Sequence, residues 1–307
     1  MPNILLIDID SRIPNLALHK IQTYFLQCGA MVKWGQRRDL ILEHWADQIY
    51  VSCVFAENKA KAAEWEGLAT IGGSGYDLSI KLPDEIEGVK PRINRGFTTR
   101  GCIRKCGFCI VTKKEGGIRA VGDLLDLWDE VGKDIVLMDN NILALPEHFR
   151  LVCSQARQHN LRIDFNQGLD HRLLTNDIVD ELASIRHVEY KFSFDQLSYE
   201  NGVRQAIELL ADGGIKSSMW FVLVGYNTCF DEDLYRLNLL RALGATAFVQ
   251  RYKKNRCNLL LSRWANRHAW FRAVTFDEFL SSEYNAKYYK KYQSEIDSYL
   301  NPKGGAE

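Results

Sequence analysis

The sequence predicts an α/β protein: a small Rossmann-like parallel-sheet domain followed by a partial (β/α)6 barrel. Short apolar runs alternate with amphipathic stretches along the whole chain, the pattern of βα units. Six such units follow residue 91. A cysteine-rich loop stands behind the first of them, on the side where a parallel barrel collects its chemistry.

The 307 residues suffice for one large domain or two of ordinary size, and 46% hydrophobic with 25% charged residues is the balance of a soluble globular chain. A formal net charge of +0 argues against a strongly basic nucleic-acid binder. The start, Met1-Pro2-Asn3-Ile4-Leu5-Leu6-Ile7-Asp8, turns acidic too soon for a signal peptide, and no apolar run reaches membrane-spanning length. Eight cysteines without a secretory signal fit a reducing compartment, so a cytoplasmic protein without membrane contact is expected.

Residues 1–90 form the first domain. Ile4–Ile7 is a short apolar run suited to a buried parallel strand. A helix is expected from Asn15 to Cys28, closed by Gly29. Met31–Trp34, Gln48–Phe55 and Ala69–Gly73 complete a doubly wound sheet. The run Gly72-Gly73-Ser74-Gly75 is either a turn or a place where a cofactor tail or phosphate approaches the backbone. Asp84–Ile93 reads as a connector, with Pro91 ending any helix.

The barrel spans 91–255, with strands at Ile93–Thr98, Asp134–Asp139, Arg162–Asn166, Tyr190–Phe194, Met219–Gly225 and Thr246–Gln250. Val121, Leu124, Leu125, Trp128 and Val131 recur at helical spacing. Pro146 suits the first turn of a helix carrying Phe149, Leu151 and Val152. Thr175 and Asn176 are cap candidates for a stripe of Ile178, Val179, Leu182 and Ile185. Further stripes at Val203–Leu210 and Leu234–Leu243 stop at Gly213-Gly214 and Gly244. Residues 256–307, rich in aromatics and charge, are expected to form a helical cap whose last residues, Asn301–Glu307, fray.

Cys102, Cys106 and Cys109 are spaced C-x3-C-x2-C, with Phe108 before the third. Three thiolates this close can hold three irons of a [4Fe-4S] cluster, which usually takes four. The fourth iron is then open to another ligand. Zinc prefers four closed ligands in C-x2-4-C pairs, and no partner pair follows: Cys153, Cys229 and Cys257 are isolated. A non-catalytic iron–sulfur or zinc protein is the alternative from another class.

The run Arg100-Gly101-Cys102-Ile103-Arg104-Lys105-Cys106-Gly107-Phe108-Cys109 resembles the C-x3-C-x-aromatic-C signature of the radical S-adenosylmethionine (SAM) superfamily. The resemblance extends over about residues 93–255 in strand order. It implies that SAM occupies the open iron and that reductive cleavage yields a 5'-deoxyadenosyl radical, which takes a hydrogen atom from substrate. It places Phe108 near the adenine. It puts Asp139, Asn140 and Asn141 where relatives carry Gly-Gly-Glu for the SAM amino group; the glycines are absent here, the acceptors present. Ser193 and Asp195 would contact the ribose, with a helix cap as the plain reading of Asp195. Phe221–Tyr226 is similar to the Gly-x-Ile-x-Gly stretch whose backbone approaches adenine, though only Gly225 is kept.

Asn166, Gln167, His171 and Arg172 follow the third strand and would face substrate, with His171 as acid–base group and Arg172 pairing a carboxylate. The plain reading has Asp170 capping a turn. Arg251 ends the sixth strand and would contact adenine or substrate. Asp231, Glu232 and Asp233 suit a helix N-terminus and read as structural. The resemblance also implies a low-potential electron donor such as flavodoxin or ferredoxin. The first 90 residues resemble the cobalamin-binding-type domain of one branch, without its Asp-x-His-x-x-Gly motif. A small-molecule or nucleotide substrate fits the neutral charge. A base in RNA or DNA is the alternative, resting on Lys113, Lys114 and Arg119 and on Arg251, Lys253, Lys254 and Arg256 around Tyr252.

Overall fold

The computed structural model describes residues 1–300; the expected fraying of 301–307 lies outside them. It is a mixed α/β structure with parallel sheets. The chain divides into two compact units. One takes residues 1–96 with 110–116 and 124–132; the other takes 97–109, 117–123 and the chain from 133 onward.

The first unit contains β1 (Asn3–Asp8), α1 (Leu16–Gln27), β2 (Met31–Gly35), α2 (Leu40–Trp45), β3 (Gln48–Ser52), α3 (Lys59–Ala63), β4 (Thr70–Gly72), α4 (Asp84–Glu87), the two-residue β5 (Arg95–Gly96) and α5 (Val111–Lys114). Its four-stranded sheet has the order β2-β1-β3-β4, all parallel. The unbroken apolar run of β1 follows from its central place, because alternate side chains enter opposite cores. Leu5 and Ile7 pack with Val51, Ala62, Trp65 and Ile71. Ile4 and Leu6 pack with Leu18, Ile21, Ala30 and Ile86. Asn15 caps α1 by accepting the Leu18 N–H at 3.3 Å, and Gly29 ends it at φ 79°.

The loops at the carboxyl ends of these strands are tied together. Asp10, beyond β1, accepts the N–H groups of Val54 at 2.8 Å and Phe55 at 2.9 Å and the side-chain amide of Asn58 at 3.1 Å. Gly73 stands at φ 103°, and a Cβ there would lie 2.2 Å from the Cys53 carbonyl oxygen. At Gly75 it would lie 2.4 Å from the Phe55 carbonyl carbon. The glycine run is therefore demanded by its seat on the 53–55 backbone, which accounts for it as a turn.

The second unit opens with β6 (Thr99–Arg100) and β7 (Arg119–Ala120), an antiparallel pair flanking the cysteine loop. Then come β8 (Asp134–Leu137), α6 (Pro146–Gln158), β9 (Arg162–Phe165), α7 (Asn176–Ala183), β10 (Arg186–His187), β11 (Tyr190–Ser193), α8 (Glu200–Asp212), β12 (Ser218–Val224), α9 (Phe230–Ala242) and β13 (Thr246–Arg251). Four helices follow: α10 (Arg256–Ala265), α11 (His268–Ala273), α12 (Phe276–Ser281) and α13 (Glu283–Leu300).

Strands β8, β9 and β10 lie side by side and parallel, as do β11, β12 and β13. Val188 N–H to Ile163 O and Leu169 N–H to Lys191 O carry hydrogen bonding across the interruption between β10 and β11. One face of β11–β13 is mostly apolar, with Tyr190, Phe192, Phe194, Trp220, Val222, Val224, Ala247 and Val249 buried beside Ser218. The opposite face carries the half-buried Lys191, Ser193 and Phe221. Lys191 there pairs with Asp164 of β9. Among the described residues, no helix is long and apolar enough to cross a membrane.

Two expectations change. The first barrel strand, read as Ile93–Thr98, is broken into β5 and β6. Arg92 and Asn94 stand at φ 48° and 57°, and the N–H groups of Thr98 and Thr99 go to the carboxylate of Asp139 instead of a ladder. The stripe from Val121 to Val131 forms no helix. Asp129 accepts the N–H groups of Val131 at 2.9 Å and Gly132 at 2.8 Å, a side-chain turn that competes with helical pairing. Leu124 and Leu127 are buried nonetheless.

Gly73→Ala should lower the unfolding free energy by about 2 kcal/mol or more, as overpacking and a left-handed φ combine. Urea denaturation checks it; a midpoint equal to the wild type's would contradict the packing described for this loop.

Candidate functional site

The cysteine loop, residues 102–109, sits beside the carboxyl ends of β8, β9, β11 and β12, and its neighbours come from those ends. Asp139, beyond β8, points one oxygen at the loop's entry. Its Oδ1 accepts from Thr98 N–H and Oγ1 at 3.0 Å each, from Thr99 Oγ1 at 2.6 Å and from Thr99 N–H. Its Oδ2 is buried without a hydrogen-bond partner. Burial raises its carboxyl above the usual range, against the pull of the two threonines.

Asn141 is 3% exposed. Its amide nitrogen lies 3.1 Å from Asp170 Oδ2 and 3.5 Å from Cys102 Sγ, while its Oδ1 has no donor. Asp170, beyond β9, is the hub of this cluster. It accepts Arg104 Nε at 2.8 Å and Arg172 Nε at 2.7 Å as well as Asn141. Burial opposes its ionisation, but the two guanidiniums win and hold the carboxyl below its ordinary value. Asp170 also caps the turn at 171–173 by accepting the Arg172 N–H at 3.3 Å. The plain reading of Asp170 and its use in the site are thus both satisfied.

The three cysteines are each partly buried, and none of the chain's eight cysteines stands in a disulfide. Desolvation raises the Cys106 thiol; Arg172 opposes this, while Cys109, Asp195 and Cys102 add to it. Among the described residues no group of three or more His, Cys, Asp or Glu side chains converges as a metal ion would need.

An aromatic row borders the loop. Phe108 meets Tyr226 edge to face at 5.2 Å between centroids, and Tyr226 meets Tyr252 at 4.8 Å. A Cβ on Gly107 would lie 2.4 Å from the Tyr226 hydroxyl, so a side chain there fits only if the tyrosine shifts. Gly225, just before Tyr226, stands at φ 77°, and a Cβ would lie 2.6 Å from the Asn258 amide nitrogen. The glycine is thus required by its own backbone and its packing.

Beneath this turn lies a pair that the sequence reading left out. Asp233 and Arg236, on α9, are both 0% exposed. Asp233 accepts the Gly225 N–H at 2.9 Å and pairs with Arg236 at 2.5 Å. Arg236 donates to the carbonyls of Phe194 and Leu223. It therefore ties the carboxyl ends of β11 and β12 together. Asp233 was expected to serve the helix start; it is structural, but inward. Asp195 accepts the Leu223 N–H at 3.2 Å, and burial pushes its carboxyl upward against that bond and the Arg236 charge. The only signal for the pair was an acid and an arginine at i, i+3.

His171 is 5% exposed, packed 5.5 Å from Trp220 and 6.0 Å from Tyr199, with no well-formed hydrogen bond at either nitrogen. Desolvation lowers its pKa to about 4. Arg172 lies over Tyr199 at 4.9 Å. Of the remaining expected residues, Ser193, Asn140 and Asn166 are half-buried, while Gln167 and Arg251 are exposed. The site cluster therefore gathers Cys102, Cys106, Phe108, Asp139, Asn141, Arg172, Asp195 and Gly225. Tyr226, Tyr252, Arg104, Asp170 and Arg236 are additions to it.

No protein-family model matches this chain, and no curated protein matches it.

Arg236→Leu should cost about 3–5 kcal/mol by stranding Asp233 in the interior, read from urea denaturation. A pH effect follows from His171. Its folded pKa lies below its unfolded value, so the unfolded state binds the proton first and stability falls as pH drops from about 6.5 toward 4. The loss approaches about 3 kcal/mol, and His171→Phe should flatten that part of the profile in apo protein; an unchanged profile would count against the burial described.

Proposed function

We propose that this chain is a radical SAM enzyme, holding a three-cysteine [4Fe-4S] cluster and S-adenosylmethionine and taking a hydrogen atom from a small-molecule or nucleotide substrate. The observation that carries the reading is the pairing of the cysteine loop with two buried, donor-less acceptors, Asp139 Oδ2 and Asn141 Oδ1. A bound amine supplies the N–H donors such atoms lack. A closed zinc site brings tetrahedral sulfurs within about 3.8 Å of each other, given Zn–S near 2.3 Å. A cluster assigns each thiolate to its own iron and asks for a wider spread.

Cys102, Cys106 and Cys109 would ligate the cluster. When bound, it supplies the low-potential electron for reductive cleavage of SAM. The protein's work is to bind, orient and exclude water. Asp139, Asn140 and Asn141 would receive the N–H groups of the SAM amine. Arg172, already oriented by Asp170, would pair its carboxylate. Phe108 and Tyr226 form an edge-to-face wall against which a flat base can pack, and Ser193, Asp195 and Gly225 complete that side. The exposed Gln167 and Arg251 and the half-buried Asn166 are left for substrate. His171 is neutral near pH 7 and sits too far from the operating pH to serve well as acid or base; packing is its better role. The parallel passes β8 to β13 form the arc of a partial (β/α)6 barrel in this reading, with the 97–100 segment entering it.

The first unit is read as a Rossmann-like scaffold. An open parallel sheet takes its ligand at the carboxyl ends of its strands. Here Asp10 bridges the ends of β1 and β3, and Asp8 adds a second carboxylate. No residue here is assigned to cobalamin, and no step runs through it. The electron would come from a donor of the flavodoxin or ferredoxin kind, in a cytoplasmic setting. A nucleic-acid substrate keeps its support in exposed basic residues, Lys113 and Arg119 after the cysteine loop and Arg251, Lys253 and Lys254 around the exposed Tyr252; oligonucleotide binding that weakens steeply with salt would favour it.

Anaerobic reconstitution should load about four irons per chain, and dithionite with SAM should then release 5'-deoxyadenosine. Cys106→Ala should lose both. One zinc per chain, or a loaded protein that releases no 5'-deoxyadenosine, would overturn the reading.

A further inference from the structure

Asp170 fixes the Asn141 side chain, whose amide nitrogen lies 3.1 Å from its Oδ2. The amide could face Asp170 with either end, but a carboxylate accepts only, so the NH2 end must face Asp170 Oδ2. That choice places the same nitrogen 3.5 Å from Cys102 Sγ. Asp170 is held in turn by Arg104 at 2.8 Å and Arg172 at 2.7 Å. The Arg104 backbone N–H lies 3.3 Å from the same sulfur. Cys102 therefore receives two N–H groups, one local and one delivered across 39 residues by a buried amide.

An N–H donor on a ligating sulfur stabilises negative charge there. Reduction adds negative charge, so the donor favours the reduced state and raises the reduction potential. Asn141 achieves this without bringing a charge of its own. We propose that Asn141, aimed by Asp170, is a positioning residue that raises the reduction potential of the iron group held by Cys102. The inference rests on the proposed function for the presence of that group. It gives the Asn141 amide nitrogen a task separate from the acceptor role of its oxygen.

The experiment uses the full-length protein, reconstituted anaerobically, without SAM. Asn141→Leu keeps much of the volume and removes the donor; Asn141→Ser, too short to reach the sulfur, is the second variant if the first does not fold. Iron content and the midpoint potential are measured by titration with redox dyes. Both variants should load iron like the wild type, and their potentials should fall. The reduced form should lose about tenfold in relative stability, which is ~59 mV for one electron. A merely structural Asn141 would change iron content or stability and leave the potential in place. Potentials equal to the wild type's at equal iron would overturn the inference while leaving the proposed function standing, as would variants that load no iron beside a wild type that does. A wild type that takes up no iron removes both.

Discussion

A buried guanidinium organises the second unit. Arg236 has no exposed surface, yet it carries a full charge into an apolar layer built by Phe192, Phe194, Trp220 and Val222. That is tolerable because its hydrogen bonds are bought locally from one carboxylate and two strand-end carbonyls. The position of those carbonyls fixes where β11 and β12 stop. Asp195 leaves one strand end and Gly225 and Tyr226 leave the other, so the aromatic row and the Asp195 carboxylate inherit their places from a residue that touches no ligand.

The same device recurs at other strand ends with the signs reversed. Asp139 collects the Thr98 and Thr99 groups, Asp170 collects two arginines and an amide, and in the other unit Asp10 collects the 54–55 backbone. Each carboxylate turns a loop that would otherwise be loose into a fixed edge. In the second unit these edges surround the cysteines. A carboxylate in such a place is first a staple, and only the oxygen left over, such as Asp139 Oδ2, is available to a ligand.

Much of this was legible in the sequence. Strands β8, β9, β11, β12 and β13 lie close to where apolar runs and glycine stops put them, the two-residue β10 was not read, and Asn15, Thr175 and Pro146 take the helix-start roles their chemistry suggests. Local signals sufficed because caps and strand faces are local properties. The failures have one cause: side-chain carboxylates capture the backbone N–H groups, at long range in one case and locally in the other. Ile93–Thr98 has strand composition, but Asp139, some 40 residues later, takes its N–H groups. Val121–Val131 has helical spacing, but Asp129 in its midst folds the chain back on itself. The cysteine spacing named the loop; it did not reveal Asp170 as the hub or Arg236 as its support, because neither lies in the motif.

The contact between Gly107 and Tyr226 couples two positions 119 residues apart in a directional way. A side chain at 107 has nowhere to go while the tyrosine hydroxyl occupies the space. Shortening Tyr226 opens that space without requiring anything of position 107. A lineage that changes both therefore meets less resistance when the ring moves or shrinks first. The preferred order in this corner follows from a 2.4 Å approach that only the tyrosine can relieve.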